Sequence, residues 1–381
     1  MKIKSNNEWG TLREVVLGSM DGYFPGLEFE TGFKTNNYEK SLKLAKQAYP
    51  QWYLDEVNED LNDLKNLLVK NKIKVLRPKK YNAEKIFQTP NFSAVGCDSY
   101  NVRDLHMVVG NKIISSASPA KYRFFEPYCL NDIFYDYLKK GFQWISSPKP
   151  SFENKYLIPF TKKQLHHIQE DKIQKKIMKG RVEKFYSLTE EEIIFDAAAV
   201  IRMNKDLVYL VSNTGNYLAA KWLQNILGNK YKVHIATSYR ASHIDSTILP
   251  LNSRNVLINS VRVPSNRVPK VFNKWKKIFF SDVLKLPEEE INFQRKVRDK
   301  IFIKLKDLKV NSCLDSISSP WAGLNVLSIN KNTVMVDKRQ IPLIKTLEKN
   351  KFNVIPVRLR HCYTMLGGLH CSTLDTVRDN N

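Results

Sequence analysis

The segment VIRMNKDLVYLVS, residues 200–212, sets two apolar runs on either side of the polar turn Asn204-Lys205-Asp206. Apolar runs that flank a short turn of this composition are typical of a β-hairpin. Three further segments repeat the pattern: LHMVVGNKIISS at residues 105–116, ILPLNSRNVLINS at 248–260 and NVLSINKNTVMVD at 325–337. The sequence therefore predicts four hairpins of one design.

Helical patterns that end in a lysine-bearing turn and run into a short strand also recur. They are LLVKNKIKVLRP (67–78), ILGNKYKVHIAT (226–237) and LEKNKFNVIPV (347–357), with weaker relatives LKKGFQWISSP (138–148) and WKKIFFSDVLKL (275–286). Five repeats result if TLREVVLG (11–18) pairs with the strand after Cys371. The predicted fold is α/β: a five-module, pseudo-symmetric α/β propeller of ββαβ repeats, closed by the two termini. We expect a single domain over residues 1–381, with a helical surface insertion at about 155–192.

Composition limits the cellular setting. The 381 residues contain no apolar run near the roughly 20 residues of a membrane helix, and the polar start MKIKSNNEWG is not a signal sequence. The five cysteines are odd in number, scattered and without a C-x-x-C pair, which favours reduced thiols over disulfides. We expect a cytoplasmic protein that does not bind membranes.

The net charge of +23 raises nucleic acid as a partner. The lysines are dispersed, however, and no helix-turn-helix, zinc-finger or RNP pattern accompanies them, so we expect a solvated basic surface and no nucleic acid. The pairs His361-Cys362 and His370-Cys371 lack zinc-knuckle spacing, and no phosphate-binding glycine loop is present. We therefore expect no metal and no cofactor. A non-catalytic basic scaffold or nucleic-acid binder remains the alternative from another class.

Polar residues stand just before each hairpin and before the last strand. Short acidic residues in such places also serve as turn formers and caps. Equivalent positions in a ring of modules point at one place, however, and five coincident positions favour a shared site. These positions are Arg103-Asp104, Asp196, His243-Ile244-Asp245, Ser318-Ser319 and His370-Cys371.

Cys371 is the candidate nucleophile, because the Gly367-Gly368 pair before it allows a sharp turn and a close approach to a ligand. A thiolate needs a base, for which His243 is the candidate, and Asp196 is the candidate acid that orients it. The surplus carboxylates Asp104 and Asp245 would oppose an oxyanion but suit a cation. The planar guanidinium of arginine fits, and attack on its carbon would give a covalent amidino-cysteine.

Five motifs together resemble the amidinotransferases, the family of glycine amidinotransferase and of the inosamine-phosphate and cyanobacterial-toxin pathway members, within the superfamily of guanidino-group-modifying enzymes. They are FDAA (195–198), HIDST (243–247), SSPW (318–321), VMVDKRQIPLIKTLEK (334–349) and GGLHCSTLD (367–375), and the resemblance runs from Asn7 to Asp375. The resemblance implies the five-module propeller.

The resemblance also implies roles for single residues. Cys371 is similar to the family's nucleophile, His243 to its acid/base and Asp196 to the acid behind that histidine. Asp104 and Asp245 resemble the guanidinium-binding pair. The residues that resemble the binders of the donor's carboxylate are Arg262 and Ser319.

Two departures from the family pattern affect the predicted site: the first alters the wall near Cys371, and the second concerns the acceptor. Leu366 and Leu369 stand where a longer glycine run and an aromatic residue are common, and Ser242 is small where glycine-using enzymes carry a bulkier residue. We therefore expect an acceptor larger than glycine.

The predicted reaction moves the amidino group of L-arginine to an acceptor amine by a ping-pong route that releases ornithine. The alternative is a guanidine hydrolase, similar to arginine or agmatine deiminase, in which water replaces the amine. The expected partners are these small molecules, and a homodimer is left open.

Overall fold

The computed structural model describes residues 4–20, 49, 51–80, 86–96, 98–153, 156–159, 186–239, 243–282, 324–363 and 365–379. These residues form a mixed α/β fold with five three-stranded and two two-stranded sheets, and none of these sheets closes on itself. In chain order the strands are β1 (Leu12–Leu17), β2 (Lys74–Leu76), β3 (Ile86–Gln88), β4 (Ser93–Val95), β5 (His106–Val109), β6 (Lys112–Ser115), β7 (Gln143–Ser146), β8 (Leu157–Pro159), β9 (Tyr186–Leu188), β10 (Val200–Met203), β11 (Asp206–Leu210), β12 (Lys232–Ala236), β13 (Ile248–Pro250), β14 (Asn255–Asn259), β15 (Lys276–Phe280), β16 (Leu327–Asn330), β17 (Thr333–Asp337), β18 (Asn353–Val357) and β19 (Thr373–Arg378).

The four predicted hairpins are present, and each belongs to a sheet of the same design. The pairs β5–β6, β10–β11, β13–β14 and β16–β17 are antiparallel. A third strand then pairs in parallel with the second strand of each hairpin: β7, β12, β15 and β18 respectively. A parallel neighbour needs a long crossover from one end of the sheet to the other, which explains why a connecting segment precedes each third strand.

The fifth three-stranded sheet joins the two ends of the chain. Strand β19 pairs antiparallel with β1, with Val15 opposite Asp375, and β1 pairs in parallel with β2. The strand pairing predicted between the two ends is therefore present, and it places the segment after Cys371 beside the start of the chain.

In two of the hairpins, the turn between the two strands contains a residue with positive φ. Asn204 has φ +67° in the β10–β11 turn, and Gly110 has φ +62° in the β5–β6 turn. Asn and Gly reach this left-handed region at lower energy than other residues. These residues thus fix the register of both hairpins.

Among the described residues, four α-helices lie in the crossovers of four of the five three-stranded sheets: α1 (Gln51–Lys70), α2 (Asn131–Lys139), α3 (Tyr217–Leu227) and α4 (Ile341–Lys349). In α1 the buried residues Tyr53, Val57, Leu61, Leu64 and Leu68 recur at helical spacing and join the apolar cluster around β1. Among the described helices, none has the combination of length and apolarity needed to cross a membrane.

The crossover between β14 and β15 departs from the helical pattern predicted before the strand at Trp275. It contains two 3-10 turns, Ser265–Arg267 and Lys270–Phe272, each preceded by a proline. Proline lacks the N–H that an α-helix interior requires, which accounts for the short turns.

The predicted helical insertion at 155–192 falls mostly on residues 160–185, which lie outside the described residues. Its two ends are strands, because β8 and β9 pair antiparallel with Leu157 opposite Leu188. The described ends of this segment are therefore a β-ladder, not a helix.

A buried cluster of charges ties distant parts of the chain together. We call this cluster, formed by Glu8, Arg103, Arg202, Asp375 and Arg378, the ionic core. Arg202 donates to Glu8 Oε2 and to Asp375 Oδ2, each at 2.7 Å, and Arg378 donates to Asp375 Oδ2 at 2.6 Å. Buried charges are tolerated only when paired. The ionic core therefore fixes the relative positions of the N-terminal segment, β10 and β19.

Candidate active site

Five of the sequence-predicted site residues come from segments that lead into an edge strand of a three-stranded sheet. Asp104 ends the 3-10 turn Val102–Asp104 before β5, and Asp196 precedes the 3-10 turn Ala197–Ala199 before β10. The other members of this group are His243 and Asp245, before β13, and Cys371, before β19.

The structure brings these five side chains together. The ring nitrogen Nε2 of His243 lies 2.9 Å from Asp196 Oδ2, and Nδ1 lies 3.5 Å from Asp104 Oδ1. The thiol of Cys371 donates to Asp245 Oδ2 at 3.3 Å. One imidazole thus lies between two carboxylates, and a third carboxylate contacts the thiol.

Each of the three carboxylates has one oxygen without a hydrogen bond among the described residues. These atoms are the Oδ1 oxygens of Asp104, Asp196 and Asp245. All three side chains are buried, with Asp245 fully so. A buried carboxylate oxygen that accepts no hydrogen bond is unfavourable, so the arrangement is suited to a ligand that brings several N–H donors.

The backbone around Cys371 is held by close contacts. Asn325 Oδ1 accepts the backbone N–H of Cys371 at 2.7 Å. A side chain at Gly367 would overlap the Asn101 carboxamide and lie 2.9 Å from Cys371 Cβ, and Leu366 has φ +56°. A glycine is therefore required at position 367 for the close approach expected from the sequence.

Electrostatics keep the nucleophile candidate protonated. Burial, together with the negative charges of Asp245 and Asp104, raises the pKa of the Cys371 thiol well above its ordinary value. Burial alone would lower the pKa of His243, but the neighbouring carboxylates outweigh it and raise the pKa to about 9. In the absence of ligand the pair is therefore a thiol and an imidazolium.

The two carboxylates nearest the thiol differ in their titration. Burial raises the pKa of Asp104, and the charges of His243 and Arg123 offset only part of this effect. Burial would also raise the pKa of Asp245, but the hydrogen bond and charge of His370 outweigh it and lower the pKa to about 2. Asp245 is therefore anionic throughout the neutral pH range.

Arg262 lies against the site through an aromatic ring. Its guanidinium stacks 4.3 Å from the ring centroid of Tyr239 and donates to Thr247 Oγ1 at 2.8 Å. The Tyr239 hydroxyl in turn donates to the backbone oxygen of His243 at 2.6 Å. The remaining predicted site residues, Ser242 and Ser319, lie outside the described residues.

Sequence reasoning missed Asn325, and it placed His370 among the converging positions without giving it a role. Asn325 bridges the backbone of Cys371 and Asp245 Oδ2, the latter at 3.0 Å. His370 lies 2.8 Å from the same oxygen. Asn325 opens the fourth hairpin segment, so its place at the head of a module was the available signal. Attention to the serine pair at 318–319 obscured that signal.

The donor atoms of Asp104, His243 and Cys371 lie within 4.8 Å of one another. Carboxylate, imidazole and thiolate are the ligand types that zinc accepts. The set therefore has ligand types that suit zinc, and the absence of a metal stays a prediction from the sequence.

No protein-family model matches the chain. Inosamine-phosphate amidinotransferase 1 of Streptomyces griseus is 33% identical over 380 residues, which is 99% of this chain and 97% of that protein. L-arginine:L-lysine amidinotransferase of Pseudomonas savastanoi pv. phaseolicola is 26% identical over 98% of this chain and 94% of its own length.

A solved structure extends the likeness to the fold. An amidinotransferase of the saxitoxin biosynthetic pathway from Microseira wollei is 29% identical, with a TM-score of 0.80 over 100% of this chain and 98% of its own. The identity to the Streptomyces protein and its coverage of both chains decide the assignment: the chain belongs to the amidinotransferase family.

Proposed function

We propose that the protein transfers the amidino group of L-arginine to an acceptor amine through a covalent amidino-cysteine at Cys371, with release of ornithine. The observation that carries this proposal is the group of three buried carboxylates, each with one oxygen without a hydrogen bond, around a thiol and an imidazole. Amidino transfer agrees with the family; the donor, the covalent step and the acceptor are our inference.

Asp104 and Asp245 are the proposed guanidinium ligands. Their Oδ1 atoms accept no hydrogen bond from described residues, whereas their Oδ2 atoms are held by Arg123, at 2.7 Å from Asp104, and by Asn325, at 3.0 Å from Asp245. A planar cation with N–H groups on several edges supplies charge-assisted hydrogen bonds to both free oxygens. The plane of the guanidinium is thereby fixed relative to Cys371.

Binding of the cation also activates the nucleophile. The pKa of the Cys371 thiol is raised by burial and by the carboxylates of Asp245 and Asp104. A guanidinium bound between those carboxylates neutralises the negative charge that holds the proton on sulfur. The thiol then loses its proton to water, and the thiolate forms beside the carbon that it attacks.

His243 is the proposed acid and base. Because Nε2 is held by Asp196, Nδ1 is the nitrogen that faces the reacting atoms. As Sγ of Cys371 forms its bond to the guanidinium carbon, Nδ1 gives a proton to the leaving nitrogen, the C–N bond breaks and ornithine departs. The neutral imidazole then takes a proton from the acceptor amine, whose nitrogen bonds to the amidino carbon while the C–S bond breaks.

Arg262 is proposed to hold the donor's carboxylate. It is buried, and its stacking on Tyr239 links it to the backbone of His243. Planar guanidinium groups bind carboxylates in a bidentate manner, which would fix the far end of arginine. The proposed helper Ser319 and the acceptor-wall residue Ser242 remain predictions outside the described residues.

We infer that the acceptor is larger than glycine. Ser242 leaves more room than a bulkier residue would, and the names of two relatives, inosamine-phosphate and L-arginine:L-lysine amidinotransferase, fit larger acceptors for those proteins. Turnover of glycine, lysine and an inosamine phosphate with arginine as donor tests this inference. Preference for glycine over both would overturn it.

The five three-stranded sheets support a propeller of five modules within one domain, closed by β1 and β19, which we propose as the architecture. The cytoplasmic location and the homodimer remain predictions.

Incubation of the protein with arginine, followed by mass spectrometry of the Cys371 peptide, tests the covalent step. Transfer predicts an amidino adduct on this peptide and ornithine release that depends on an added amine. Hydrolysis, the alternative reaction, predicts steady release of citrulline without any amine. A Cys371→Ser variant serves as the control that forms no thiol adduct.

A further inference from the structure

A second histidine lies directly before Cys371, between two carboxylates. His370 is 2% exposed, and its Nδ1 lies 2.8 Å from Asp245 Oδ2. Its Nε2 lies 3.2 Å from Glu8 Oε2. His370 therefore connects a carboxylate of the candidate active site to the ionic core.

The two contacts define the protons on the ring. An ionised carboxylate only accepts hydrogen bonds, so a ring nitrogen that faces one must carry a hydrogen. The charge and hydrogen bond of His370 hold the pKa of Asp245 near 2 against the effect of burial, and Arg202 and His370 likewise lower the pKa of Glu8 below its usual range despite burial. Each of the two ring nitrogens of His370 therefore faces an ionised carboxylate.

We propose that His370 is a positioning residue: an imidazolium clamped between Glu8 and Asp245 that turns the free Oδ1 of Asp245 toward the guanidinium of the donor. Oδ2 of Asp245 is already engaged by His370, by Asn325 at 3.0 Å and by the Cys371 thiol at 3.3 Å. Three contacts on one oxygen fix the plane of the carboxylate and leave the other oxygen available. This inference rests on the proposed function of Asp245.

Glu8 is itself held by charged neighbours. Arg202 donates to Glu8 through two nitrogens, to Oε1 at 2.9 Å and to Oε2 at 2.7 Å, and Arg103 lies 3.6 Å from Oε2. Arg103 Nε also donates to the backbone oxygen of His370 at 2.8 Å. The ionic core therefore fixes both the ring and the backbone of His370.

The charged and titratable groups around the clamp come from several elements. Asp245 is faced by His243 on its own segment and by His370 and Cys371 before β19. His370 is backed by Glu8 of the N-terminal segment, whose own partners are Arg202 on β10 and Arg103 before β5. Of these groups, His370 makes the contact that most lowers the pKa of Asp245, so its removal should act on Asp245 first.

The test compares His370→Gln with His361→Gln. His361 is also a buried histidine with a carboxylate partner, Glu56 at 2.7 Å, but it does not contact Asp245 in the structure. For His370→Gln we expect the KM for arginine to rise at least tenfold, with a smaller change in kcat. The acid limb of the pH profile of kcat/KM should move to higher pH, because Asp245 loses the partner that lowers its pKa. His361→Gln should show neither change.

A purely structural role would lower the melting temperature and leave the pH of the acid limb where it is in the wild-type protein. That result, or an unchanged KM, would overturn the proposal. If His370→Gln does not fold, ¹⁵N NMR of the histidine-labelled wild-type protein decides. His243 is also protonated at about pH 7, so its signals are assigned by their loss in His243→Asn. A second buried imidazole with hydrogen on both nitrogens at this pH, coupled across its hydrogen bonds to two carboxylates, supports the clamp, and a neutral ring at His370 overturns it.

Failure of the proposed function has a different outcome. Absence of an amidino adduct in wild-type protein treated with arginine contradicts the reaction at Cys371. The NMR measurement uses protein without substrate, so it tests the protonation of His370 whether or not arginine reacts.

Discussion

Replacement of Asp104 by Asn should change two rates in opposite directions. The Asp104 carboxylate helps to hold the Cys371 thiol protonated in the protein without substrate, and it is also a proposed ligand of the substrate guanidinium. Asp104→Asn should therefore make the thiol react faster with a small alkylating reagent and make turnover of arginine slower. Asn at this position can still accept the hydrogen bond from Arg123, now 2.7 Å from Oδ2.

The geometry sets the size of both effects. Donor atoms of Asp104 and Cys371 lie within 4.8 Å. At this separation two unit charges interact by about 3 kcal/mol at an effective dielectric constant of about 20. We therefore expect alkylation to become up to about 150-fold faster, since about 1.4 kcal/mol is a factor of ten. Loss of a charge-assisted hydrogen bond costs about 1.5–3 kcal/mol, so kcat/KM for arginine should fall about 10- to 150-fold.

The assay measures iodoacetamide labelling of the Cys371 peptide at about pH 7, below the value of about 9 at which His243 loses its proton. Asp206→Asn is the matched control, because it removes the same charge from a half-exposed carboxylate that contacts His234. Labelling of Asp104→Asn at the wild-type rate or slower would refute the reasoning that this carboxylate keeps the thiol protonated.

Three further predictions concern stability. The free energy of unfolding should fall by up to about 3 kcal/mol as pH rises from about 6.5 to about 9. Folding raises the pKa of His243 from 6.5 to about 9, so its contribution to stability is complete below pH 6.5 and is lost as pH rises through about 9. Urea titrations should show this fall in the wild-type protein and a smaller fall in His243→Asn. Gly367→Ala should destabilise the protein by about 1–3 kcal/mol, because the added methyl group overlaps Asn101. Thermal unfolding should show partial recovery of stability in the double variant Gly367→Ala/Asn101→Ala. A Gly367→Ala variant as stable as the wild-type protein would contradict the close approach of Gly367 to Asn101. Arg202→Met should destabilise by about 3–5 kcal/mol because two buried carboxylates lose their partner. By contrast, Arg13→Met, at a pair that is 41% exposed on the arginine side, should change the denaturation midpoint little.

The hairpins and the site group could be predicted because their signals are local. Apolar runs on either side of Asn204 and Gly110 indicate the turns, and the position of a polar residue before each hairpin can be read without coordinates. Because the segments repeat, the residues before their strands could be predicted to lie at equivalent points and so to share one site.

Contacts within the ionic core could not be predicted in the same way. Arg202 stands among apolar residues of β10, where its charge gives no indication that Glu8 and Asp375 are its partners. The pairs span 194 and 173 positions of the chain, so only the packed structure brings them together. The missing α-helix before β15 has a local cause that the pattern did contain, because Pro264 and Pro269 precede the two short turns.

The carboxylates that we propose as guanidinium ligands also act on the sulfur of Cys371. Burial and the charges of two carboxylates, Asp245 and Asp104, raise the pKa of the Cys371 thiol and so make a thiolate unfavourable. In the proposed mechanism a bound cation removes the effect of the charges. A neutral molecule of similar shape would fill the space without removing the negative charge, and the thiol would stay protonated. Under the proposed function, selectivity for cations therefore follows from the chemistry at sulfur as well as from binding. For this reason a variant that weakens recognition of the guanidinium should at the same time lose part of its protection against alkylation.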